Sequence, residues 1–328
     1  MTPVSGNTVG EAAGQAAGDD LFARAQALED DGRHDEAFEA FAHANAVRRA
    51  SLDPAGFARH SAELLENIKW LFAENLFQRR HVGHSSRAPV FIVGMMRSGS
   101  TLVEQVLDSH SKVTGLGEIF TFEEVAKLRY PFPAPPPSPR HFVELGEDYL
   151  KAVQAIGWPN TPRFVDKQLA NFWYVGAIHL TFPNATILHC VRDPIDTCLS
   201  CFRANFNAAA PIFFDLADIG AHYVRYRRMM DHWEDVLPGR LVTVDHEAMI
   251  ADFPDQAQRL IEACGLRWEK GCLRFYENQR RVYTASFEQV RRPIFNESVG
   301  RWRRYERHLG PLKESLGPYA AGAATCGG

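Results

Sequence analysis

The stretch PVFIVGMMRSGSTLVEQVLDSH, residues 89–110, changes period at its centre. Pro89 to Met96 is a short apolar run bounded by proline and glycine, as in a strand buried on both faces. From Ser100 onward the apolar residues Leu102, Val103, Val106 and Leu107 fall at helical spacing. Between them, Gly94-Met-Met-Arg-Ser-Gly-Ser-Thr101 has two glycines separated by four residues and then a hydroxyl pair. That spacing, at a strand-to-helix junction, is that of a phosphate-cradling loop, in which successive backbone N–H groups and the helix N-terminus face an anion. Nucleoside-triphosphate enzymes place Lys after the second glycine, where it reaches the β and γ phosphates. Here that position is Ser100, and the cation lies inside the loop as Arg97. The loop therefore predicts one phosphate in the cradle, with the group to be transferred near Arg97.

Downstream, short apolar strands alternate with helices. A helix over about Pro139 to Ile156 leads to strand PRFVDKQ, ending in Asp166-Lys167. A helix over Asn171 to Thr181 precedes strand ATILHCV, which ends at Arg192-Asp193-Pro194 and runs into a helix from Ile195 to about Arg203. Strand GRLVTVDHE (Gly239 to Glu247) and a helix from Asp255 to Cys264 complete the pattern. The expected fold is α/β, a P-loop-like parallel sheet with helices on both faces. Arg192, at the C-terminal end of a central strand, marks a second anion site, with Ser200 on the helix that follows. Two anion sites at strand ends suit a nucleotide phosphorylated on both its 5′ and 3′ oxygens; a salt bridge from Arg192 to Asp193 or Asp196 is the structural alternative.

Upstream, residues 1–18 read as a disordered tail. Residues 19–85 read as a short all-helical extension, in which Leu21, Ala25, Leu28, Gly32, Ala37, Phe41 and Ala44 match a single tetratricopeptide-like unit of about 34 residues. It is expected to pack on a helix from Phe57 to Gln78 and to serve as a partner-binding or homodimerising arm, or as a helical cap. Residues 86–312 form the main domain and 313–328 a flexible tail. The proline-rich stretch Pro131 to Arg140 reads as a surface loop or a lid.

Composition sets limits. The 328 residues carry 36 Lys and Arg against 40 Asp and Glu, a net charge of -4, so no global attraction to nucleic acid or to acidic membranes is expected and any anion site is local. Six scattered cysteines suit a reducing, cytoplasmic compartment. No secretory signal or membrane-spanning run is found in the sequence. Cys198-Leu-Ser-Cys201 lacks a second pair at ligand spacing, and His81-Val-Gly-His84 reads as solvated linker, so no metal site is expected.

Taken together, FIVGMMRSGST, ILHCVRDPIDTCLS and the C-terminal YTASFEQVRRPIFNESVGRW resemble the sulfotransferases that use 3′-phosphoadenosine 5′-phosphosulfate (PAPS), and in particular the bacterial branch joining tetratricopeptide regions to a domain similar to tyrosylprotein sulfotransferases. The resemblance covers roughly Pro89 to Leu309. It implies that Arg97, Ser98, Gly99, Ser100 and Thr101 bind the 5′-phosphosulfate and that Arg192 and Ser200 bind the 3′-phosphate. It also implies that Glu118 is the base, that Lys167 and Arg97 are catalytic cations, that Ser286 is both catalytic and cofactor-binding, and that Arg301 replaces a cofactor-contacting lysine. Met96 stands where Pro is usual, Ser100 where Thr is common, and His246 where Tyr is common. The acceptor would be a hydroxyl, on a protein tyrosine or else on a small molecule or carbohydrate, with PAP as product and no metal required. His110 is a weaker candidate base. Eight arginines between Arg280 and Arg307 make the C-terminal segment locally cationic. Trp70, Phe202 and Trp302 could stack on adenine, though each also suits core packing. A nucleotide kinase and a non-catalytic helical-repeat adaptor are the competing classes.

Overall fold

The computed structural model describes residues 8–73, 83–129, 138–206, 211–280, 289–294 and 298–321. The chain forms two compact units: Ala62–Arg192 with Arg225–Asn296, and Met1–Ser61 with Asp193–Val224 and Glu297–Gly328.

The first of these holds five parallel strands, β1 (Pro89–Gly94), β2 (Val113–Gly115), β3 (Arg163–Asp166), β4 (Thr186–Val191) and β5 (Val242–Asp245), in the order β2-β3-β1-β4-β5. Every residue of β1 is buried, the condition its uninterrupted apolar run anticipates. Alternate residues serve opposite faces. Val90 and Ile92 join Val103, Val106, Leu107, Val165, Leu188 and Ile261 in one core. On the other face Phe91 meets the rings of Phe122, Tyr149 and Phe182. Helix Ser100–Asp108 follows β1 as expected. The segment expected as one helix from Asn171 is a 3-10 turn, Leu169–Tyr174, followed by an α-helix, Val175–Thr181. Strand β2 and helix Leu216–Val236 are additions to the expected pattern.

The second unit is helical among its described residues. Helices Thr8–Asp30 and His34–Arg49 form the expected hairpin, with Gly32 in the turn at φ +76°. The first helix begins at Thr8, inside the segment expected as a tail, and helix Gly310–Leu316 runs into the expected C-terminal tail. The hairpin does not stand apart as a separate extension. Phe38 stacks on Phe202 and His308, with ring centroids 5.4 and 4.2 Å apart, and Asn45 Nδ2 donates to the Phe202 carbonyl at 2.8 Å. A lone helical pair has no second layer on which to bury its apolar stripe, and segments distant in sequence supply it.

Candidate active site

The C-terminal edge of the sheet collects the chemistry. Neighbouring strands β3, β1 and β4 end respectively at Lys167, the glycine loop and Arg192, and the turn after β2 carries Glu118. Ligands of open parallel sheets bind at this edge.

The loop has the geometry of an anion cradle. Arg97 has φ +68° and Gly99 φ +89°. The left-handed conformation is costly for a residue with a Cβ, and a Cβ on Gly99 would also lie 2.4 Å from His246 Nδ1. Gly99 is the N-cap of helix Ser100–Asp108, and no side-chain cap is made there among the described residues. Ser98 Oγ is buried and has no hydrogen-bond partner among the described residues. Arg192 Nη1 donates to the Arg97 carbonyl at 3.2 Å, tying the end of β4 to the loop.

Beside it lies a buried ion network. Lys167 is 0% exposed, and its Nζ donates to Glu118 Oε1 at 2.7 Å while lying 3.9 Å from Glu104 Oε2. Arg280 Nη2 meets the same Glu104 oxygen at 3.0 Å, and Arg280 Nε lies 3.3 Å from Asp108 Oδ2. Gly117 fixes the position of Glu118 from the backbone: its N–H donates to Glu104 Oε1 at 2.7 Å and its carbonyl accepts from the Lys167 N–H at 2.9 Å. The Glu118 side chain is 34% exposed, so this carboxylate reaches solvent while its lysine partner does not. Behind them, Asp166 accepts from Tyr149 Oη at 2.9 Å, Gln168 N at 3.0 Å and Asn171 Nδ2 at 3.3 Å, and burial raises its carboxyl to about 7 against the pull of these donors. His246 opens the helix after β5; burial, followed by the charge of Arg192, lowers it to about 3 and keeps it neutral.

Of the expected site residues, Arg97, Ser98, Gly99, Ser100, Thr101, Glu118, Lys167 and Arg192 share one unit. Ser200, on helix Pro194–Phe202, and Arg301, opening the 3-10 helix Arg301–His308, belong to the other. Ser286, the proline-rich stretch through Pro137, and His81 lie outside the described residues. His110 is engaged structurally, its Nε2 at 2.8 Å from the Arg267 carbonyl and its Nδ1 accepting from Lys112 N at 3.1 Å. Among the aromatic candidates Phe202 is core, Trp302 is flanked by Arg303 and Lys313, and Trp70 is exposed. Cys198 and Cys201 are buried thiols outside any disulfide, and burial holds Cys198 well above the usual thiol range. Among the described residues no group of His, Cys, Asp or Glu could hold a metal ion, and no helix is long and apolar enough to cross a membrane.

Glu104 and Asp108 were not anticipated from sequence. Their signal is two carboxylates one turn apart on an otherwise apolar helix, a spacing that puts both on one face. Arg280 was visible only as one member of a basic run.

The profile of the Sulfotransferase family matches residues 89–270, from β1 through the end of the alternating pattern, and the chain belongs to this family. An uncharacterized protein of Aquifex aeolicus (strain VF5) is 34% identical over 298 residues; the match takes in 86% of this chain and 39% of that protein, so the chain spans well under half of this relative's length. The sulfotransferase domain of the Synechococcus PCC 7002 olefin synthase is similar in fold, with TM-score 0.50 at 16% identity over 67% of this chain and 89% of that one. Mouse sulfotransferase SULT7A1, solved in complex with PAP, gives TM-score 0.43 at 16% identity over 71% of this chain and 86% of that chain.

Proposed function

We propose that this chain transfers the sulfuryl group of PAPS to an acceptor hydroxyl, with Glu118 as base. The observation that carries the reading is the pairing of an uncapped, lysine-free phosphate loop with the Lys167–Glu118 ion pair at the neighbouring strand end. PAPS, when bound, supplies the activated sulfuryl group. The amides of Gly99, Ser100 and Thr101 and the buried Ser98 hydroxyl suit its 5′-phosphate. The 3′-phosphate is assigned to Arg192, Ser200 and Arg301 on the resemblance of their motifs alone; Arg301 Nε is a buried donor with no hydrogen-bond partner among the described residues.

In this reading Glu118 takes the proton from the acceptor oxygen as that oxygen attacks sulfur, a contribution of about 10²–10⁴-fold. Lys167 orients Glu118 and, with Arg97, offers fixed positive charge where negative charge grows on the leaving phosphate. Ser286 is retained as a further donor on the resemblance alone. The chemistry needs positioning and charge compensation, and no step needs a metal. The single tetratricopeptide-like hairpin and a cytoplasmic location belong to the same proposal.

We take the acceptor to be a tyrosine hydroxyl on a protein. Phe120, two positions after Glu118 and 57% exposed, offers apolar ring surface for an aromatic acceptor. The test is transfer of labelled sulfuryl from PAPS to a tyrosine-containing peptide, to the same peptide with Phe in place of Tyr, and to a panel of sugars and small phenols. Label entering only the tyrosine peptide supports the reading. Label entering only sugars or phenols replaces the acceptor and keeps the transferase. No transfer to any of them, together with no PAP binding, overturns the whole proposal.

A further inference from the structure

Arg301 is held in place by a carboxylate that the proposed chemistry does not use. Asp196 lies in the first turn of helix Pro194–Phe202 and is buried. Its Oδ2 accepts from the Gly300 N–H at 2.6 Å and its Oδ1 from the Trp302 N–H at 2.9 Å, so one side chain grips the N–H groups of the residues on both sides of Arg301. Hydrogen bonds to an ionised acceptor are stronger than neutral ones, and two of them from one carboxylate fix orientation as well as distance. Ser200 is four residues beyond Asp196, one turn along the same helix face. The far end of the Arg301 segment is also held: the buried Tyr305 donates its hydroxyl to Glu29 at 2.6 Å, and Glu29 pairs with Arg203 just past the end of the Ser200 helix.

We propose that Asp196 is a positioning residue for 3′-phosphate recognition: by gripping the amides flanking Arg301 it registers that guanidinium against the helix face carrying Ser200. Asp196 does not itself touch the nucleotide. The inference rests on the PAPS reading above. A buried Asp in a helix first turn can also serve as a cap alone, and the distinction lies in which ligand notices its loss.

Calorimetry with PAP and with adenosine 5′-phosphate, which lacks the 3′-phosphate, makes that distinction. The variants are Asp196→Asn, which keeps the volume and one acceptor, and Gly300→Ala, which disturbs the same segment from its left-handed residue at φ +69° without altering Asp196. Each is expected to weaken PAP about tenfold, the equivalent of one charge-assisted hydrogen bond, and to leave adenosine 5′-phosphate unchanged. In an Arg301→Ala background, Asp196→Asn is expected to add no further loss. Unchanged PAP affinity in both variants, equal weakening of both nucleotides, or a full additional loss in the Arg301→Ala background overturns the positioning role. If the unmodified protein binds PAP no better than adenosine 5′-phosphate, the cofactor reading itself fails, and the positioning role falls with it.

Discussion

Lys167 is the most confined charge in the site, with no exposed surface and carboxylates of Glu118 and Glu104 at 2.7 and 3.9 Å. A buried ammonium is tolerated where such partners surround it, and here the partner nearest solvent is the one assigned as base. Glu118→Gln is therefore expected to retain PAP affinity while turnover falls by about 10²–10⁴-fold. Unchanged turnover in a labelled-PAPS assay would remove Glu118 from the role. Asp166 gives a second expectation at this scale. Its folded carboxyl at about 7 lies above the unfolded value of about 3.9, so the folded state binds the extra proton between these values. Its stabilising contribution is complete below about pH 4 and is lost as the pH rises through about 7, on the order of 4 kcal/mol in all. Asp166→Asn mimics the protonated form and is expected to flatten this part of the dependence of Tm on pH. Parallel curves for the two proteins would refute it. Glu118 follows the three-residue strand β2 and was singled out on the family resemblance alone, whereas the strand end that carries Lys167 was legible in sequence. The pairing of Glu104 with Arg280 was not, because it joins positions far apart in the chain and neither lies in a recognised motif.

At the scale of elements, the loop between β1 and its helix does most to define the site. Gly99→Ala puts a Cβ into a left-handed backbone and against His246, a cost of about 1–3 kcal/mol. A lower Tm and weaker PAP binding are expected, and adding His246→Ala should relieve the steric part and recover some of the Tm. A Gly99→Ala protein with unaltered melting would show that the loop does not need this geometry. Strands β1, β3 and β4 were readable because buried parallel strands are short apolar runs, and β5, exposed at three of its four residues, only from its β-branched Val242, Thr243 and Val244. Strand β2, Val113–Gly115, is too short to display a period. Helix Leu216–Val236 escaped notice because its buried positions, among them Ile219, His222, Tyr223, Tyr226, Met229, Met230 and Trp233, mix polar and aromatic side chains with few aliphatic ones.

At the scale of the whole molecule, the two units are assembled from discontinuous stretches, an arrangement that local periodicity cannot register. The sequence reading separated an N-terminal extension near residue 85, yet Phe41, Ala37 and Ala44 are buried in the unit that also contains Phe202, Tyr305 and Leu312. Phe41→Ala is expected to cost about 3–5 kcal/mol and to expose that unit to proteolysis, including its C-terminal segment. An undiminished Tm and unaltered digestion would mean that the hairpin is dispensable to the unit. Net charge, at -4, is no guide to the ligand, because the proposed function rests on a few local cations. The central claim is that these cations serve a nucleotide phosphorylated at both ends and carrying no γ-phosphate. Thermal denaturation with PAP, and separately with ATP and magnesium, tests it most directly: PAP at a hundred times its Kd should add about 2.7 kcal/mol of stability and shift Tm upward, with ATP and magnesium leaving it in place; stabilisation by ATP and magnesium with none by PAP would contradict the account.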